Sequence, residues 1–130
     1  MSLQLPMALI VLLLGQDATA ASQQQPASDG ERLLRGRCGA CHGIDPGQKR
    51  PAPHLGGVFG RQAGTLEGTP YSEALTASGI VWDERSLDAF MAGPTELVPG
   101  TSMKLVLRDP AQRRAIVEFL RDREGAAGTP

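Results

Sequence analysis

Apolar positions recur at helical spacing in several stretches of the chain, and no strand pattern, internal repeat or second domain stands beside them. Leu34, Cys38 and Cys41 fall at i, i+4 and i+7 and share one helix face. Ser28 and Glu31 in front of them form an S-x-x-E capping box, which predicts a helix starting at Asp29. Gly30 lies on the same side. Its missing side chain either admits a neighbouring helix or merely weakens this one. Arg32, Arg35 and Arg37 fall elsewhere around the helix and are expected in solvent. Residues 71–78 read as a short amphipathic helix ended by Gly79. Asp83 caps the next, whose stripe is Leu87, Phe90 and Met91. Pro94, Pro99 and Gly100 then break the chain into a loop ending at Met103. The last helix has Asp109 as N-cap, Pro110 at its first position, Gln112 at N3, and a stripe of Ile116, Phe119 and Leu120. The expected architecture is all-α, with about four helices.

One apolar run follows a different logic. Residues 7–14 read MALIVLLL, too short for the roughly 20 residues that span a bilayer. Ala18-Thr19-Ala20 behind it fits the A-x-A pattern of a signal-peptidase site, although the first six residues lack Lys and Arg. An uncleaved anchor or a buried helix is the alternative. The expected organisation is a cleaved signal peptide over 1–20, a polar lead-in over 21–28, the folded domain over 29–124 and a disordered tail over 125–130. Export to the periplasm follows, with no stable membrane insertion after cleavage.

Composition changes the picture of the core. Gly and Pro make 26 of 130 residues, or 20%, against roughly 12% in an average chain. The aromatic residues are Phe59, Tyr71, Trp82, Phe90 and Phe119 alone. Residues 43–70 are the richest in Gly and Pro and would read as disordered, yet Leu55, Val58 and Phe59 give them apolar contacts. Such a segment becomes ordered by wrapping a rigid, flat, apolar body. A net charge of −1 argues against a nucleic-acid partner.

The chemistry concentrates in Cys38-x-x-Cys41-His42, which holds both cysteines of the chain. A disulfide here would close a tiny loop and stabilise little. A redox dithiol wants a preceding strand, and a zinc site wants four ligands where only His54 remains nearby. Covalent haem attachment needs this spacing: two thiols three positions apart reach two vinyl groups on one porphyrin edge, and the next residue supplies an imidazole for the iron.

These features together resemble the class I c-type cytochromes, the small mitochondrial and bacterial cytochrome c family. The resemblance is carried by CGACH (38–42), PAPHLGGVFGRQAG (51–64), YSEALTASGIVW (71–82), LVPGTSM (97–103) and the C-terminal amphipathic helix. It implies one haem c on Cys38 and Cys41, with His42 and Met103 as axial ligands. Met91 sits on a helix stripe and reads as core, whereas Met103 lies in a Pro-Gly loop that no stripe explains. The resemblance further implies that the Pro53 carbonyl orients His42, that Arg61, Tyr71 and Trp82 bind the haem propionates, and that Thr101 holds the ligand loop by its hydroxyl. A solvated Arg61, a core Trp82 and plain turn chemistry at Thr101 are the alternatives; His54 could give bis-His ligation. Phe90 departs from the family, since mitochondrial relatives often carry tyrosine there.

The implied function is a soluble, monomeric, single-haem electron carrier rather than an enzyme, exchanging electrons with a redox protein donor and acceptor of a respiratory or photosynthetic chain or a periplasmic dehydrogenase. A dedicated cytochrome subunit of a periplasmic oxidoreductase complex is the alternative. A haem sensor or peroxidase would need the sixth coordination site vacant.

Overall fold

The structure, a computed structural model, describes residues 28–127, so the expected signal peptide, the lead-in up to residue 27 and residues 128–130 lie outside it. The described chain forms α1 (Asp29–Arg37), α2 (Glu73–Ala77), α3 (Glu84–Ala92), α4 (Pro94–Leu97) and α5 (Pro110–Ala127), joined by turns and loops. Strand-like pairing among the described residues is confined to two isolated bridges, His42–Ala52 and Gln62–Val81.

Local chemistry sets the helix ends. The Ser28 hydroxyl accepts the Glu31 N–H at 3.2 Å, as the capping pattern predicts. The second arm of that box is diverted: the Glu31 carboxylate takes Arg35 Nε at 2.9 Å and Nη2 at 2.7 Å, one turn on. α1 ends at Arg37 with Cys38 as its cap, so Cys41 lies beyond the regular helix, contrary to the one-face reading. Gly36 and Gly39 flank that end and lower helix propensity there. One more turn of hydrogen bonds nevertheless runs on, with the His42 N–H donating to the Cys38 carbonyl at 2.8 Å. α3 has a reciprocal cap in which the Asp83 carboxylate accepts the Ser86 N–H at 2.7 Å and the Ser86 hydroxyl accepts the Asp83 N–H at 2.8 Å. α4 falls in the stretch that the sequence predicts as loop. Pro94 begins a turn of helix there instead of breaking one, because a first-turn residue needs no N–H partner. α5 continues to Ala127, past the boundary expected at residue 125.

α5 is the hub, packing against both α1 and α3, while α3 also packs on α4. Close approach to α1 depends on Gly30: a Cβ there would collide with the Ala115 carbonyl and stand 2.7 Å from the Phe119 Cβ. The core takes Leu34, Leu87, Phe90, Ile116, Val117 and Leu120 from helices, and as many residues from loops: Ile44, Val58, Ala63, Trp82, Val98 and Leu107. The Gly-rich middle is therefore ordered, and backbone bonds stitch it down. Gly60 N–H donates to the Trp82 carbonyl (2.7 Å), Trp82 N–H to Arg61 (2.9 Å) and Ala63 N–H to Ile80 (2.7 Å).

Candidate haem-binding site

The C-x-x-C-H motif occupies the turn that follows α1. Cys38 and Cys41 are free thiols, the first half-buried and the second exposed. Burial pushes the Cys38 thiol above its ordinary value and the neighbouring Cys41 pushes the same way. His42 is half-buried, and its Nδ1 lies 2.7 Å from the Pro53 carbonyl. A carbonyl only accepts, so Nδ1 carries the proton and Nε2 keeps its lone pair. Burial holds the His42 ring below its ordinary value, with the Pro53 bond opposing the shift in part. A neutral imidazole with one nitrogen anchored and the other free is the form that ligates a metal.

Two loops present the rest. Ala52 N–H donates to the Cys41 carbonyl at 2.9 Å and Leu55 N–H to Gly43 at 2.8 Å, which lays the Pro53 segment alongside the motif. Arg61 donates from Nη2 to the His54 carbonyl (3.1 Å) and from Nη1 to Gly56 (3.2 Å), so it braces this loop rather than standing in solvent. Its backbone pairing with Trp82 brings those two residues together. Trp82 is buried, with its ring 5.0 Å from that of Phe90 in a tilted arrangement. Tyr71 stands half-buried just ahead of Ser72, the α2 cap. On the far loop Thr101 is 2% exposed, its N–H bonded to Val98 at 3.0 Å and its carbonyl accepting from Lys104 Nζ at 2.9 Å. Met103 is half-buried against the core, as is Met91, whose carbonyl accepts the Leu107 N–H at 2.8 Å. The His54 Nδ1 is buried without a hydrogen-bond partner among the described residues.

The residues present fit a haem. Two unbridged thiols adjoin an imidazole whose Nε2 is free. Cys38, Leu55, Phe59, Leu75, Ile80 and Met103 are apolar groups that the core leaves half-covered, as side chains around an apolar plate must be. Three residues escaped sequence reasoning: Arg113, Arg123 and Glu124, which bind loops from α5. The signal was present, since they extend the stripe of Ile116, Val117 and Leu120 at spacings of three and four with charged residues.

Comparison with known proteins agrees with this geometry. Residues 27–124 match the family described as Cytochrome c. Cytochrome c2 iso-2 of Magnetospirillum fulvum is 39% identical over 87 residues, covering 66% of this chain and 91% of that protein. Cytochrome c of Nigella damascena is 32% identical over 108 residues (79% and 97%), and that of Euglena viridis 35% over 96 residues (73% and 94%). The chain belongs to the cytochrome c family, whose members are electron carriers rather than enzymes and hold one haem c covalently.

Proposed function

We propose that the protein is exported to the periplasm and carries single electrons between redox partners on a His/Met-ligated haem c. Cys38 and Cys41 would hold the haem, with His42 Nε2 and Met103 Sδ as the two axial ligands. The haem supplies a ferric/ferrous couple, and thioether–imidazole ligation raises its potential and leaves no open coordination site. Pro53 fixes the ring orientation and tautomer of His42 and raises its basicity. Arg61, Tyr71 and Trp82 would answer the propionates; Arg61 does so while bracing the Pro53 loop. Thr101 would hold the Met103 loop by its hydroxyl; its side chain is buried, and the bonds the structure gives it are backbone ones, to Val98 and from Lys104. Export rests on the apolar run before Ala18-Thr19-Ala20.

The observation that carries this reading is the 2.7 Å contact between His42 Nδ1 and the Pro53 carbonyl, which anchors the ring by one nitrogen and reserves Nε2 for a ligand, in the residue that follows two unbridged thiols. The test is an absorption spectrum and pyridine haemochrome of exported protein, followed by two methionine variants. Met103→Ala removes the weak near-infrared sulfur-to-iron band and admits carbon monoxide to the ferrous form. Met91→Leu keeps the band and costs under about 1.5 kcal/mol. The opposite pattern would move the ligand to Met91.

A further inference from the structure

The buried stripe of α5 does not end at Leu120. Arg123 and Glu124 follow at the next turn of the same face, half-buried, and both contact residues far back in the chain. Glu124 Oε1 accepts the Gly57 N–H at 2.7 Å, across 67 residues of sequence. Arg123 Nη2 meets Asp45 Oδ1 at 2.5 Å, across 78 residues, with its guanidinium 5.6 Å from the centre of the Phe119 ring. Asp45 and Gly57 bracket the irregular segment that contains Pro53. Inside it, Pro51 and Pro53 have fixed φ, and the Leu55 N–H donates to the Gly43 carbonyl at 2.8 Å, a bond two residues from each tether, so a shift at either end is felt next to Pro53. An exposed ion pair contributes little by itself. Here two contacts from one helical turn fix both ends of the segment whose carbonyl orients His42.

We propose that Arg123 and Glu124 are positioning residues for the axial histidine: they hold segment 45–57 in the register that keeps the Pro53 carbonyl on His42 Nδ1, and thereby set the electron affinity of the iron. The inference rests on the haem reading above. Weakening the Pro53 bond lowers the basicity of the imidazole, which destabilises the ferric form.

The test uses holo-protein variants, amide hydrogen exchange in the ferrous state and spectroelectrochemical titration. Glu124→Ala speeds exchange at Gly57 and Leu55 about tenfold and shifts the one-electron equilibrium about threefold toward ferrous. Glu124→Gln loses the same charge but keeps an acceptor oxygen, and restores both readouts. Arg123→Gln separates the mechanism from simple electrostatics. Removing a positive charge would by itself favour the ferric form, whereas a loosened segment favours the ferrous form. A shift toward ferrous in Arg123→Gln supports the proposal. Equal shifts in Glu124→Ala and Glu124→Gln, or a shift toward ferric in Arg123→Gln, overturn it. If Glu124→Ala fails to mature, Asp45→Ala removes the acceptor of the other tether at a half-exposed site and must accelerate exchange at Leu55 for the proposal to stand. Parent protein without covalent haem would instead defeat the underlying reading.

Discussion

At the scale of single residues, several side chains act through one contact each, and the contact says what a substitution does. His42 owes its free nitrogen to Pro53. The family motif marks both residues, but only the fold brings a carbonyl 11 positions away to Nδ1. Asp83 offers a test by pH. Its bonds from the Ser86 backbone and hydroxyl hold its carboxyl below the ordinary 3.8. A lowered folded value means that the contribution is complete above 3.8 and is lost as pH falls through the folded value. Asp83→Asn, which caps without titrating, therefore differs from the parent most at neutral pH. Thermal melts of the two should converge in acid, and a gap constant with pH would contradict the assignment. Two glycines give a second test. Gly30→Ala drives a methyl into the Ala115 carbonyl and should cost about 1–3 kcal/mol in chemical denaturation. Gly36→Ala, in the same helix, meets open space and should gain up to about 1 kcal/mol. The sequence left the role of Gly30 undecided because helical periodicity places it on a face without saying how near the neighbour comes.

Among the elements, α5 shows what periodicity reveals and what it hides. Its cap and its stripe of Ile116, Phe119 and Leu120 are readable from spacing alone, and the structure buries Ile116 and Leu120 while Phe119 is only half-buried, beneath Arg123. Arg113 sits on that face too, one turn earlier, where a charge looks like an exception. It is held by three acceptors: Asp88 Oδ1 at 2.8 Å, and the carbonyls of Leu107 (2.9 Å) and Arg108 (2.8 Å). Those carbonyls end the loop that carries Met103, and Asp88 belongs to α3, so one guanidinium ties both to α5. Its side chain is 12% exposed while that of Asp88 is 46% exposed, so the guanidinium is shielded and the carboxylate keeps access to water. Arg113→Met keeps the bulk but removes the donor to two carbonyls and a carboxylate, a loss of about 1–3 kcal/mol. The near-infrared sulfur band of the ferric protein should weaken with it. Arg113→Lys should not restore the band, because an ammonium cannot reproduce the fork. An unchanged band in Arg113→Met would show that the loop holds its own geometry. α4 is hidden for a different reason: Pro94 reads as a breaker, although proline is equally at home in a first turn.

For the whole molecule, the all-α architecture was legible because four capped, periodic stretches survive in the fold, whereas the ordered course of residues 43–70 was not, since glycine-rich segments take their shape from what they pack against. Charge distribution is the remaining whole-molecule property. Residues 30–64 carry a net +4 and residues 65–103 a net −5, so a nearly neutral chain contains a basic attachment region followed by an acidic block. The structure thins the basic block. Arg35 is paired with Glu31, Arg32 with Asp29, and Arg61 is bound to backbone carbonyls. Arg37, Lys49 and Arg50 stand exposed, and Arg37 adjoins Cys38 at the site where the haem would be fixed. A partner approaching there meets a local positive field set by a few charges, on a body with little net charge to reinforce it. Steering should therefore be mild. Electron transfer to an acidic partner should slow with added salt by less than roughly tenfold between about 10 and 300 mM, as the screening length contracts. Arg37→Glu should slow it further, through the association rate, with dissociation little changed. Stopped-flow rates over that salt range test both. A rate that rises with salt, or a faster Arg37→Glu variant, would mean that the partner presents a basic surface or docks on the acidic block.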